Sequence, residues 1–240
     1  MGSQPCQMGR EDMIILTGAT GGIGKELIEH LSKIDDVIGI YNKSSVKDMP
    51  NKKIVYEKLN MEDAREIKSF AQKWKGRISR LTLVHSAVLN IDGLFANYKD
   101  SDWDKVMQVN LKGNFLLTQG LLPQMIQEKW GRIIHISSVV GMSGRIGTVA
   151  YSASKTALLG MSRVLASEYG RFNITSNILN LGYFESGLAD TLSGDVKKEI
   201  LSRIPSKSFG KIPDIAHAVE FLIKSGYVNG SVVTIDGAFQ

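Results

Sequence analysis

Seven short apolar runs, separated by longer segments of helical spacing, constrain this chain more than any other feature of its 240 residues. Met13–Thr17, Val37–Tyr41, Lys53–Glu57, Leu81–His85, Arg132–Ser137, Ile174–Leu179 and Val232–Ile235 are continuous and rich in β-branched residues, the pattern of strands buried on both faces. Between them, Gly22–Lys33, Glu62–Lys75, Ser101–Ile126, Ala150–Gly170 and Pro213–Lys224 carry apolar residues at helical intervals. Strand and helix alternating along the whole chain predict an α/β fold, a single-domain doubly wound parallel sheet of about seven strands with helices on both faces. A domain of this length buries roughly three quarters of its unfolded surface, so its core needs no covalent staples. No Pro- or Ser-rich linker divides it, and 13–240 reads as one domain behind a polar, flexible extension, 1–12. The exception to the alternation is Glu185–Ser208, rich in Gly, Ser and Lys with one short helical pattern at Val196–Arg203. It reads as a substrate lid or, equally, as a plain surface excursion.

Composition narrows the function classes. A lone Cys6 permits no internal disulfide and no metal site built on paired cysteines, so a cytoplasmic protein with no metal site is expected. The balance of 29 Lys+Arg against 24 Asp+Glu is positive, but the basic residues are scattered among acids, as in Lys197-Lys198-Glu199, and form no run of five. That argues for a solvated surface and against nucleic acid, while leaving room for an acidic partner or a phosphorylated ligand. No apolar stretch approaches the roughly 18 residues of a membrane helix, and 1–12 lacks the apolar segment of a signal peptide.

Glycine is the one residue in excess, at 24 of 240 against a usual ~7%. Thr17-Gly18-Ala19-Thr20-Gly21-Gly22-Ile23-Gly24 follows the first expected strand and opens the first expected helix. Gly18, Gly22 and Gly24 there allow a sharp turn, close approach to a pyrophosphate and tight helix–strand packing, and the helix N-terminus offers its N–H groups to phosphate. The spacing G-x-x-x-G-x-G resembles the T-G-x-x-x-G-I-G signature of the short-chain dehydrogenase/reductases, a Rossmann-fold family. The resemblance implies a nicotinamide dinucleotide held by Gly18, Thr20, Gly22, Ile23 and Gly24.

Later segments extend it. Ile40-Tyr41-Asn42-Lys43-Ser44-Ser45 ends the second strand without a carboxylate, so Asn42, Lys43 and Ser44 favour the 2′-phosphate of NADP(H) over NAD(H). Many reductases of the family also carry a basic residue where this chain has Gly21. Asn60 stands where the family usually has Asp beside the adenine. His85-Ser86-Ala87-Val88 stands where it reads N-N-A-G, so Ala87 keeps the small residue while Val88 and Ser86 line the cofactor ribose differently. His85 itself reads as a packed structural histidine. Asn180-Leu181-Gly182-Tyr183-Phe184-Glu185-Ser186 is similar to the nicotinamide-side P-G-x-x-x-T stretch, with Gly182 kept, Ser186 supplying the hydroxyl and Leu181 in place of proline loosening the turn.

Tyr151 and Lys155 are four residues apart in an expected helix, about 40° around its axis, and so share a face. A neighbouring cation lowers a phenol's pKa and prepares Tyr151 as a general acid. Ser138, 13 residues earlier at a strand end, reaches the same sheet edge. Asn110, among apolar neighbours, is either a structural tie or a member of a polar relay. The order Asn110, Ser138, Tyr151, Lys155 matches the family's catalytic tetrad residue by residue. It implies carbonyl reduction by hydride transfer, with Tyr151 protonating the oxygen, Ser138 polarising it, Lys155 holding the nicotinamide ribose and Asn110 positioning a relay water.

Within the family the resemblance is strongest to the 3-oxoacyl-acyl-carrier-protein reductase type, through Gly131–Gly141 and the short C-terminus. An acidic carrier protein would suit the positive charge, with Lys129, Arg132 and Arg171 as candidate docking residues. The resemblance also implies a homotetramer built on the helices within Ser101–Ile126 and Ala150–Gly170. The alternatives are a reductase of another ketone or a sugar, or a catalytically silent nucleotide-sensing homologue.

Overall fold

Successive side chains of the first strand, β1 (Asp12–Thr17), enter two different cores. Ile14 and Leu16 pack with Leu27, Ile28, Ile215 and Leu222, whereas Met13 and Ile15 pack with Ile67, Phe70, Leu117 and Leu121. A strand projects alternate residues to opposite faces, so one that is apolar throughout must be covered on both. The computed structural model, which describes residues 12–44, 46, 51–187 and 193–239, shows that cover.

From β1 the chain runs through α1 (Gly24–Leu31), β2 (Asp36–Tyr41), β3 (Ile54–Lys58), α2 (Ala64–Trp74) and β4 (Ser79–His85). It continues through α3 (Asp100–Met107), α4 (Gly113–Glu128), β5 (Gly131–Ser138), α5 (Val139–Ser143) and α6 (Val149–Tyr169). β6 (Ile174–Leu181), α7 (Gly194–Arg203), α8 (Ile212–Lys224) and β7 (Val232–Ile235) complete it. The sheet is parallel, in the order β3-β2-β1-β4-β5-β6-β7. α1 and α8 lie against each other over one face, α2 and α4 over the other.

Local chemistry agrees with these boundaries. The Asp63 carboxylate accepts from the N–H groups of Arg65 at 2.7 Å and Glu66 at 3.3 Å and caps α2, an interaction worth about 1 kcal/mol. At α8, Pro213 occupies the first turn, where its missing donor costs nothing, and the Asp214 carboxylate accepts from Lys211 N at 3.0 Å.

The expected helix Ser101–Ile126 proves to be two. A five-residue π turn, Gln108–Lys112, separates α3 from α4. Apolar spacing does not register the one-residue widening, and the gain comes from Asn110 at its centre, whose fully buried amide finds partners there. The short pattern expected at Val196–Arg203 is α7, which starts two residues earlier. Ser45 and 1–11, Cys6 included, lie outside the described residues, as do 188–192 of the expected lid. Asp12, assigned to the extension, begins β1.

Strand order reverses between β1 and β4, and the neighbouring registers end level, with Thr17 beside both Ile40 and His85 and Ser138 beside Leu181. At such a switch point the loops leaving adjacent strands diverge, and a crevice opens beyond the carboxyl ends.

Candidate active site

That crevice has a volume of about 750 Å³. Its floor is the glycine loop. Gly18 has φ +72° and lies so close to the end of β4 that a Cβ on it would stand 2.8 Å from Ala87 Cα, so no larger residue fits. The Thr17 hydroxyl accepts from the N–H groups of Ser86 at 3.0 Å and Ala87 at 2.9 Å, fastening the β4 exit to the loop. Thr20, Gly22, Ile23 and Gly24 line the cleft where α1 begins, and the first-turn N–H groups of a helix, with its positive end, suit a pyrophosphate.

The other sequence-expected cofactor residues open on the same cleft. Asn42, Lys43, Ser44 and Asn60 line its β2–β3 end, where Asn42 Nδ2 donates to Asn60 Oδ1 at 3.1 Å. Lys43 and Ser44 are exposed. Ala87, Gly182 and Ser186 line the other end. The Ser186 hydroxyl donates to Gly22 O at 2.7 Å and latches the start of the 185–208 segment onto the glycine loop. Leu181 does not loosen its turn. It pairs with Ile235, and Gly182 N donates to Ile235 O at 2.9 Å, so the neighbouring strand sets the path that a proline would have set. Val88, half-exposed, and Ser86 line the cleft beside Ala87.

Three of the four expected catalytic residues meet there. Ser138 ends β5 and accepts from Val140 N at 3.3 Å; Tyr151 and Lys155 are on α6. Lys155 is buried, donates to Ile136 O at 2.6 Å and lies 5.8 Å from the centre of the Tyr151 ring. Burial pushes its pKa down to about 8. The expectation that this cation lowers the Tyr151 pKa is not met. Burial of the phenol raises it above the ordinary value, hydrogen bonding to Ser138 draws it part of the way back, and the ammonium is turned to a strand carbonyl.

Asn110 is not among the residues lining the cleft, although Val109 is. Its Oδ1 accepts from Leu89 N at 2.8 Å, and its Nδ2 donates to Leu89 O at 2.9 Å and Ser154 Oγ at 3.1 Å. Ser154 Oγ in turn donates to Tyr151 O at 2.7 Å. The Asn110 side chain thereby ties the β4 exit loop and the π turn to Ser154 of α6.

His85 is the structural histidine expected. It is buried, shares a 2.8 Å hydrogen bond with Thr118 Oγ1 through Nε2, and stacks on His135 at 5.0 Å between ring centres. Burial holds both rings in the neutral form, His135 with a pKa near 3. Of the three candidate docking residues, burial removes Arg132. It donates to the carbonyls of Ile223 and Asn173 and stacks on Trp130. Lys129 and Arg171 are exposed but precede β5 and β6, at the amino edge of the sheet, away from the cleft of their own chain.

Residue-by-residue reading missed Arg145, Thr148, Asn90, Asp92 and Tyr183, which line the same end of the cleft as Tyr151. Thr148 was within reach, since it precedes Tyr151 by one helical turn. The others come from loops, where no periodicity marks a facing residue.

A buried cation has a measurable cost. Between about pH 8 and 10.5 the unfolded chain keeps the Lys155 proton that the folded protein has released, so stability rises with pH through that window and is lost as pH falls toward 8. Lys155→Met is therefore expected to gain on the wild type by up to about 3 kcal/mol on going from pH 10.5 to pH 7. Urea unfolding of both proteins at the two pH values checks this; a pH-independent difference would contradict it.

The crevice at the strand-order reversal, the glycine loop beneath it and the serine, tyrosine and lysine on its wall define a nucleotide-dependent oxidoreductase site. The family model described as short chain dehydrogenase matches residues 12–197, and the chain belongs to that family, NAD(P)-dependent oxidoreductases acting on CH–OH and carbonyl groups. It is 36% identical over 231 residues to a 3-oxoacyl-[acyl-carrier-protein] reductase FabG of Rickettsia conorii, covering 93% of this chain and 94% of the relative. A FabG of Thermotoga maritima is 36% identical over 235 residues, 93% and 95% of the two chains. Nodulation protein G of a Rhizobium species is 33% identical over 232 residues, 93% and 94%. Among the described residues, no helix is long and apolar enough to cross a membrane.

Proposed function

We propose that this carbonyl reductase uses NADPH to reduce the keto group of a 3-oxoacyl thioester presented by an acidic acyl carrier protein, working in the cytoplasm as a homotetramer. The observation that carries the reading is a single cleft shared by Ser138, Tyr151 and Lys155 and by the glycine loop. The substrate class is supported by the similarity to the 3-oxoacyl-[acyl-carrier-protein] reductases of Rickettsia conorii and Thermotoga maritima. The half-exposed Phe115 on α4 and Val164 on α6 supply apolar faces for the assembly.

The residues present fit a dinucleotide. The close approach of Gly18 to Ala87 keeps the loop free of side chains where a pyrophosphate must come within reach of backbone N–H groups. Gly18, Thr20, Gly22, Ile23 and Gly24 would hold the pyrophosphate, Asn60 the adenine, Lys43 with Asn42 and Ser44 the 2′-phosphate, and Ala87, Lys155, Gly182 and Ser186 the nicotinamide half. The bound cofactor supplies hydride to the carbonyl carbon. The Tyr151 hydroxyl donates its proton to the carbonyl oxygen as negative charge gathers there, and Ser138 orients that oxygen with a second hydrogen bond. A phenol, with an ordinary pKa of about 10, stays protonated through the neutral range, as a proton donor must be. Asn110, through Ser154, keeps the first turn of α6 at the angle that aims the phenol.

Turnover of acetoacetyl thioesters with NADPH, against a panel of neutral ketones and sugars, tests the substrate class; reduction of the ketones alone would refute it. For the cofactor, Lys43→Glu is expected to weaken NADPH at least about tenfold, by replacing attraction to the 2′-phosphate with repulsion, and to leave NADH nearly unchanged. Fluorescence titration with both nucleotides measures the ratio, and equal losses would remove Lys43 from the phosphate site.

A further inference from the structure

Arg145 lies on the wall of the cleft at its Tyr151 end. It sits between two glycines in the loop from α5 to α6, Gly144 at φ +69° and Gly147 at φ +83°. The loop is held at several points. Arg145 O accepts from Thr148 N at 3.1 Å and Thr148 Oγ1 at 2.8 Å, and Gly93 N donates to Gly147 O at 2.9 Å. Thr148 is itself buried and begins the helix that carries Tyr151. The arginine is thus exposed on a fixed base, six residues before the proton donor.

Its charge is not answered by the protein among the described residues. The lining holds two acids, Glu62 at the far, β3 end and Asp92 at this end. Asp92 accepts from Asn90 Nδ2 at 2.9 Å, and no ion pair joins it to Arg145. Lys155 adds a second cation to the same region. A planar guanidinium with its donors unengaged, beside a site where carbonyl oxygen gathers charge, suits a phosphate or carboxylate carried by the substrate.

We propose that Arg145 is a specificity-determining residue that binds an anionic group of the carbonyl substrate. The proposal rests on the carbonyl-reductase reading above and adds what the substrate must carry besides its keto group. The anion is either the phosphate of a pantetheine-type arm or a carboxylate on the keto compound.

Calorimetric titration of the full-length protein tests it with three probes, acetoacetyl-4′-phosphopantetheine, acetoacetate and the uncharged acetoacetyl-N-acetylcysteamine thioester. Coenzyme A esters are avoided because their adenosine could occupy the nucleotide end of the cleft. Arg145→Gln is expected to weaken at least one anionic probe by about tenfold or more, the loss of a charge-assisted hydrogen bond, with partial recovery in Arg145→Lys and no change for the neutral thioester. Loss for the phosphate probe alone identifies the arm, and loss for acetoacetate alone identifies a carboxylate. Equal effects on charged and neutral probes, no effect on any, or wild-type protein that binds neither anionic probe more tightly than the neutral one would overturn the proposal. Turnover followed in the same samples keeps the two readings apart: Arg145-dependent anion binding without reduction of any keto probe counts against the 3-oxoacyl assignment and not against the anion site.

Discussion

Tyr151→Phe is expected to reduce turnover by between about a hundredfold and ten thousandfold while nicotinamide dinucleotide binds almost as tightly as to the wild type. The variant removes one oxygen and nothing else. The ring is buried against Val139 and Val140, with Phe239 packed on the same cluster, and phenylalanine fills that space in the same rotamer. What disappears is the proton donor. Ser138 can still hydrogen-bond the substrate oxygen, but its aliphatic hydroxyl is too weak an acid to complete the transfer at neutral pH. Single-turnover and steady-state rates with a ketone, set beside a fluorescence titration of the cofactor, separate chemistry from binding. A kcat within tenfold of wild type would remove Tyr151 from its role. A large loss of cofactor affinity would instead show that the hydroxyl holds the ribose more than it moves a proton.

Gly24→Ala carries the second large effect, on the cofactor end of the same cleft. An ideal Cβ at this position would stand 2.1 Å from Gly18 O, 2.9 Å from Gly18 C and 3.1 Å from Ala19 Cα, all of them backbone. No rotamer change relieves such a contact. Either α1 or the loop must move, at a typical cost for overpacking of about 1–3 kcal/mol. Gly18 is itself confined by Ala87 on its other side and cannot retreat. The expected result is a folded protein of reduced stability whose affinity for the dinucleotide falls by about a hundredfold, since a displacement of an ångström removes several backbone hydrogen bonds to phosphate together. Thermal unfolding and nucleotide titration read the two effects separately, and wild-type affinity in a stable variant would mean that the loop does not cradle the phosphates.

The site was legible in the sequence wherever one local motif carries it. Thr17–Gly24 needs only its own spacing to announce a turn that enters a helix, and Tyr151 and Lys155 need only the helical repeat to share a face. The same locality explains the errors. Lys155 sits near Tyr151 as expected, yet its ammonium bonds a strand carbonyl 19 positions earlier, so the phenol feels burial more than charge. Arg132 reads as a surface cation until α8 and Trp130 cover it. Asn110 looks like one buried amide inside a long helix. The helix in fact breaks into a π turn around it, because Leu89 and Ser154, 21 positions before it and 44 after it, supply the partners.

By itself, then, the sequence determined that about seven strands alternate with helices, the parallel sheet that continuous apolar runs require, and the two motifs that mark a dinucleotide and a proton donor. The strands and the sheet follow from the short-range periods of strand and helix, and the roles of the two motifs from their resemblance to the family's signatures. The tertiary structure alone decided which loops face one another across the carboxyl edge. That pairing latches Ser186 to the glycine loop, holds the Arg145 loop against Gly93 and puts an arginine at the mouth of the site. Contacts between residues far apart in the chain depend on how the layers pack, and no period along the sequence encodes them.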